Sequence, residues 1–197
     1  MIDEFAKEYL HEELREIREA LVWKLDGLSE YDARRPLTGT GTNLLGLVKH
    51  RAYSDARYLG EVFDRPFPGR VPRWDEQGAW QDEHWAAHDE TREDIVDLYR
   101  RVWGHTDATI NALPLDAPGR VPWWPRPDVK LFNCMVHVLN DTTRHAGHAD
   151  ILREQLDGAV GTDAHSTTAK QPDAARLAAQ YAKIEQAARV AGARTNG

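Results

Sequence analysis

An all-α four-helix bundle is the fold class this sequence predicts, and three observations carry it. Apolar residues recur at intervals of three and four along four long segments. Proline- and tryptophan-rich stretches separate those segments, and no segment alternates convincingly enough to be a strand. The bundle should occupy residues 1–158. Residues 159–197 should form a linker and a short C-terminal helical appendage.

The first helix is predicted from about Asp3 to Leu28, with Leu10, Leu14, Ile17, Leu21, Leu25 and Leu28 on its buried side. Residues 35–42 (R-P-L-T-G-T-G-T) break the pattern. Thr42 or Asn43 can then cap a second helix running to about Phe63, whose core positions are Leu45, Val48, Ala52, Ala56, Leu59 and Phe63. Pro66, Pro68 and Pro72 forbid continuous helix beyond it. A third helix is expected from about Thr91 to Ala112, using Ile95, Leu98, Val102 and Ile110, with acidic residues in its opening turn. After the aromatic loop Pro114–Pro127, the fourth should run from about Val129 to Leu156 and stop at Gly158. In the appendage, Asp173 can cap a helix striped by Leu177, Tyr181, Ile184 and Ala188, which could dock on the bundle or on a partner subunit.

With a net charge of −7 and no basic stripe, the chain is not expected to bind nucleic acid. No apolar run approaches the roughly 18–20 residues of a membrane span, and Met1 leads into acidic Asp3 and Glu4, so a cytoplasmic protein is expected. The lone cysteine, Cys134, excludes an intrachain disulfide and suits a reducing compartment.

The chemistry concentrates in H-V-L-N-D-T-T-R-H-A-G-H-A-D-I-L-R-E, residues 137–154. His137, Asp141, His145 and His148 fall within a helical strip less than about 90° wide. Each alone could be a solvated polar residue. Together, flanked by Met135, Val136, Val138, Leu139, Ile151 and Leu152, they look like half of a metal site, because buried imidazoles and carboxylates need partners. His50, one turn after Leu47 on the second helix, could meet this strip across the core or simply sit at the core's edge. Cys134, one turn before His137, reads as a fourth ligand or as a small buried hydrophobe. His11, His84, His88, His105 and His165 lack partners in register and are expected at the surface, although His84 and His88 share a spacing of four.

The motifs L-L-G-L-V-K-H on the second helix and H-x-x-x-[E/D]-x-x-x-H-x-G-H-x-D-x-x-R-E on the fourth resemble the DinB/YfiT-like superfamily. More narrowly, they resemble an actinobacterial branch of unknown function. The resemblance covers residues 5–160. It implies a four-helix bundle, often homodimeric, with a divalent metal between helices two and four. Relatives include mycothiol- and bacillithiol-dependent S-transferases and the mycothiol-dependent maleylpyruvate isomerase. Carried over, the metal ligands are His50, Asp141 and His145, with the shorter aspartate standing where relatives more often have glutamate or histidine. His148 then becomes a ligand, a proton carrier or an outer group, and His137 could orient Asp141 by a hydrogen bond.

Two imidazoles and one carboxylate leave open coordination positions, as in a catalytic centre. Zinc comes first, and nickel, manganese or iron would also fit mixed N/O ligands. The resemblance implies an S-transferase in which a low-molecular-weight thiol, mycothiol, attacks an electrophilic small molecule, with His148, the candidate catalytic residue, or a metal-bound water accepting the released proton. Arg51, Arg144 and Arg153 could anchor a charged sugar-thiol or pair with neighbours. Tyr53 on the second helix falls in the same set. Trp123 and Trp124 could wall the electrophile or cover the bundle's end. Trp74, Trp80 and Trp85 admit the same two roles or a dimer surface. Two rivals stand beside this reading: a hydrolase or isomerase using metal-bound water, and a non-catalytic metal-binding stress-response bundle.

Overall fold

The computed structural model of the chain describes residues 2–78, 80, 82–163 and 173–194, and it divides into two compact units, Met1–Asp163 and Ala164–Gly197. In the first unit, α1 (Ile2–Trp23), a short α2 (Glu30–Arg34), α3 (Leu44–Tyr58) and α4 (Arg92–Ala112) precede a ribbon of β1 (Pro118–Arg120) and β2 (Asp128–Lys130), and α5 (Leu131–Asp157) follows. α1 packs on α5, and α3 packs on both α4 and α5, making the predicted bundle. The second unit holds α6 (Ala174–Arg194), opened by Asp173, whose stripe residues Leu177, Tyr181 and Ile184 are exposed. His165 lies outside the described residues.

Helix ends follow local chemistry more closely than periodicity. α1 stops at Trp23 instead of Leu28, because three successive i→i−3 bonds tighten the chain and Gly27 then turns it at φ 74°. Leu25 stays buried beyond the helix, so the apolar stripe outruns the element. Asn43 caps α3 by accepting from the Gly46 N–H at 2.8 Å, and Thr91 caps α4 by accepting from the Asp94 N–H at 3.0 Å. α3 ends at Tyr58, short of the expected Phe63, and the chain passes through a 3-10 turn (Glu61–Phe63) to Asp64 in the left-handed region at φ 56°.

The strands are a correction to the sequence reading. β1 and β2 pair antiparallel, with Gly119 opposite Val129, and at three residues each they are too short for alternation to register. A Cβ on Gly119 would come within 2.6 Å of the Phe63 ring, so this residue lets the ribbon lie on the core. The ribbon also consumes Val129 and Lys130, which is why α5 begins at Leu131. Two flanking residues turn out to face away from the core: Val136 and Ile151 are exposed. On α4 the inward residue is Tyr99, and neighbouring Leu98 is half-buried.

The core comprises two apolar clusters. One gathers Leu14, Leu59, Ile110, Leu131, Cys134 and Val138; the other gathers Leu21, Leu45, Val48, Ile95, Tyr99 and Ala149. Between them in sequence on each of the four bundle helices lies a polar residue in register with the stripe: Arg18 on α1, Asp55 on α3, Thr106 on α4 and Asp141 on α5. Arg18 and Asp55 are fully buried and bonded at 2.9 Å. Arg18 also reaches Asp107 at 3.0 Å and Thr106 at 3.1 Å. Arg51 grips Asp55 and Asp141, and His11, buried and not at the surface as expected, meets Asp107 at 2.9 Å. An alternating chain of charges therefore crosses the bundle from Asp107 to Asp141.

Asp107 gives this chain a measurable pH signature. Burial opposes its ionisation, but bonds from His11 and Arg15 and the charge of Arg18 outweigh that, holding its carboxyl at about 2 against an ordinary 3.8. A depressed folded value contributes stability that is complete above about pH 4 and is lost as pH falls through about 2. Acid titration of the unfolding midpoint should show this loss in the wild type and a flatter profile in Asp107→Asn. Parallel profiles would sink the assignment.

Candidate metal centre

α3 and α5 bring His50, Asp141 and His145 together as the sequence suggested, each offering a ligand atom within 4.8 Å of the others. His50 Nε2 lies 3.9 Å from Asp141 Oδ2, and His145 Nε2 lies 3.6 Å from Asp141 Oδ1. The two imidazoles meet edge-on, centroids 4.8 Å apart. Nε2 is the His145 nitrogen nearest Asp141, and Nδ1, the other ring nitrogen, is buried with no hydrogen-bond partner among the described residues.

Electrostatics keep His145 and Asp141 in ligating form. Burial, the neighbouring His50 and the Arg51 charge hold the His145 imidazole down to about 4, so it is neutral at neutral pH and its lone pair is free. Burial opposes ionisation of Asp141, yet Arg51 and the imidazoles outweigh it and keep the carboxyl below its usual range. A neutral imidazole beside an ionised carboxylate is a donor set that suits a divalent cation.

The surrounding residues fall into three groups. Arg51 is fully buried on Asp141, so it braces a candidate ligand. His137 makes ring contacts with Tyr58 at 4.5 Å and Trp124 at 4.8 Å, and Arg51, not His137, holds Asp141. Trp123 and Trp124 both donate to the Tyr58 hydroxyl, at 2.9 and 3.1 Å, and Trp74 and Trp80 pack on Trp123, which makes an aromatic wall one turn from Asp141.

Other predicted residues lie apart from the cluster. Arg153 is buried on the Lys24 carbonyl at 2.8 Å and on Asp157, over the Trp23 ring. Arg144 is exposed, and Tyr53 is half-buried between Lys49 and Arg57. Cys134 belongs to the apolar cluster, and burial pushes its thiol up to about 12. His88 is exposed, and His105 bonds the Arg65 carbonyl at 2.7 Å.

Sequence reasoning missed two residues of the long α3–α4 connection. His84 stacks on His50 with centroids 4.4 Å apart, and Glu83, 1 % exposed, bonds His50 Nδ1 at 2.8 Å. His50, Glu83 and His84 form a second set of neighbouring ligand atoms. No spacing rule reaches them, because a loop brings them in. A cavity of about 570 Å³ opens beside the cluster, lined by Thr40, Thr42, Leu47, Trp85 and the imidazoles of His84, His145 and His148. His148 is exposed at this cavity, its ring 5.7 Å from that of His145.

Among the described residues no helix is long and apolar enough to cross a membrane. A comparison with curated proteins returned no match. The family model described as mycothiol S-transferase matches residues 9–158, which takes in most of α1, all of α2 to α5 and every residue of the cluster. The chain thus belongs to the mycothiol S-transferase family, within the DinB/YfiT-like superfamily.

Proposed function

We propose that this protein is a metal-dependent S-transferase that joins mycothiol to an electrophilic small molecule, with His50, Asp141 and His145 holding a divalent ion, zinc first. The observation that carries the reading is the neutral His145 beside the ionised Asp141, with His50 in reach of both, in a chain from this family. When bound, such an ion supplies the positive charge that keeps a nearby thiol ionised at neutral pH.

The chain's own residues do the rest. Arg51 holds one Asp141 oxygen and leaves the other toward His145. The cavity has hydroxyls of Thr40 and Thr42 for a sugar-bearing thiol and the Trp85 ring as an apolar surface. His148, at the same wall, accepts the thiol proton. A sulfur–carbon bond forms at the electrophile while the bond from that carbon to its leaving group breaks, and the leaving group departs with the electron pair. A cytoplasmic homodimer completes the reading. The lone Cys134 supports a reducing compartment, and exposed Phe5, Tyr9, Phe132 and Val136 on α1 and α5 supply apolar surface.

Zinc-loaded protein incubated with mycothiol and an alkyl-halide or bimane electrophile should form the thioether faster than the uncatalysed mixture. The rate should depend on the thiol and fall by about 10²–10⁴-fold in His148→Ala if that residue takes the proton. Turnover of a candidate substrate with zinc and no thiol would sink the transferase reading in favour of hydrolysis or isomerisation.

A further inference from the structure

The α3–α4 connection supplies a carboxylate with both oxygens committed. Glu83 Oε1 meets His50 Nδ1 at 2.8 Å, and Oε2 accepts from Arg57 Nη1 at 2.7 Å. Arg57, seven residues along α3 from His50, is itself fixed by donating to the Pro72 carbonyl from Nε at 3.2 Å and Nη2 at 3.1 Å.

The backbone beside Glu83 is seated as firmly. A Cβ on Gly46 would come within 2.0 Å of the His84 carbonyl oxygen, so only glycine lets this segment lie directly on the first turn of α3. Asn43, while capping that helix, donates to the same carbonyl at 3.2 Å. Lys49 donates to the Trp85 carbonyl at 3.1 Å and pairs with Glu90 at 2.8 Å. Residues 83–85 are therefore a strap, tied at successive carbonyls to the helix that carries His50.

We propose that Glu83 is a positioning residue, held by this strap, that fixes His50 as the tautomer protonated on Nδ1 and presents a bare Nε2 to Asp141 and His145. An ionised carboxylate only accepts, so the proton it binds must sit on Nδ1. Arg57 occupies the second oxygen and prevents the carboxylate from turning away. Nε2 is the nitrogen that faces Asp141, at 3.9 Å. A ring so oriented makes a stronger and better-aimed metal ligand. That consequence rests on the metal reading above; the tautomer does not.

Two measurements on the full chain separate them. Long-range ¹H–¹⁵N spectra of metal-free protein at mildly alkaline pH report which His50 nitrogen carries the proton, and competition with a chromophoric chelator gives the zinc affinity. In Glu83→Gln the amide oxygen should turn to Arg57 and the amide NH₂ to Nδ1, so the tautomer inverts and zinc binds about ten- to a hundredfold more weakly. Gly46→Ala, which leaves carboxylate and imidazole untouched but displaces the strap, should weaken zinc at least about tenfold with helical circular dichroism retained. A His50 that keeps its proton on Nδ1 in Glu83→Gln, or wild-type zinc affinity in both variants, overturns the proposal. An inverted tautomer in a protein whose wild type takes up no zinc upholds the role of Glu83 and defeats the metal reading instead.

Discussion

Asp55→Ala is expected to lower the unfolding free energy by about 3–5 kcal/mol, a large share of the stability of a domain this size. Asp55 is fully buried, and its two oxygens neutralise two buried guanidiniums, Arg18 at 2.9 Å and Arg51. Both arginines would stay behind in a low-dielectric interior with a partner missing, and removing the carboxylate relieves none of their desolvation cost. Urea denaturation of the wild type, Asp55→Ala and an Arg120→Ala control checks this. Arg120 pairs with Asp128 at 2.6 Å in full view of solvent, so its loss should cost no more than about 1 kcal/mol. A drop below about 1 kcal/mol for Asp55→Ala would mean that water or rearrangement satisfies the arginines.

His145→Ala should remove stoichiometric metal, with affinity falling by roughly two to three powers of ten, since a zinc site divides a binding free energy on the order of 10 kcal/mol among a few ligands. Thioether formation with mycothiol should fall with it, and excess zinc should restore little, because of the three-residue cluster only His50 and Asp141 remain. Elemental analysis of tag-free protein, wild type and variant, reads the first effect, and zinc titration of the rate reads the second. The fold should survive, since His145 is half-buried and makes no helix-capping bond. An unchanged zinc content would move the site to the neighbouring set of His50, Glu83 and His84.

The bundle was legible because four long helices carry their own record: stripes, caps and breakers all lie in local sequence. The juxtaposition of the candidate ligands was legible where helical spacing encodes it, as in Asp141 and His145, and where one inward residue on a second helix meets them, as in His50. Three kinds of information were not local. Arg18 sits four residues after Leu14 and three before Leu21, in register with the stripe, but an arginine there reads as the edge of a polar face until Asp55 and Asp107 come in from other helices. The roles of Arg51 and Arg153 turned on what lay across the core. Glu83 and His84 arrive on a connection without periodicity, and Gly46, which permits the approach, looks on paper like a helix defect. The ribbon escaped for a different reason, since three residues a side carry too little pattern to read.

Arg51 also bears on how such a protein comes into being. Asp141 meets a counter-charge that is covalently part of the chain, so the carboxylate need not wait for an ion before it can be enclosed. The small zinc domains that stay unfolded until metal arrives have no such substitute, and their synthesis is tied to supply. Here the polypeptide balances its own interior through Arg18, Asp55, Arg51 and Asp141. On the metal reading proposed above, loading the ion would be a late, reversible event, separate from folding.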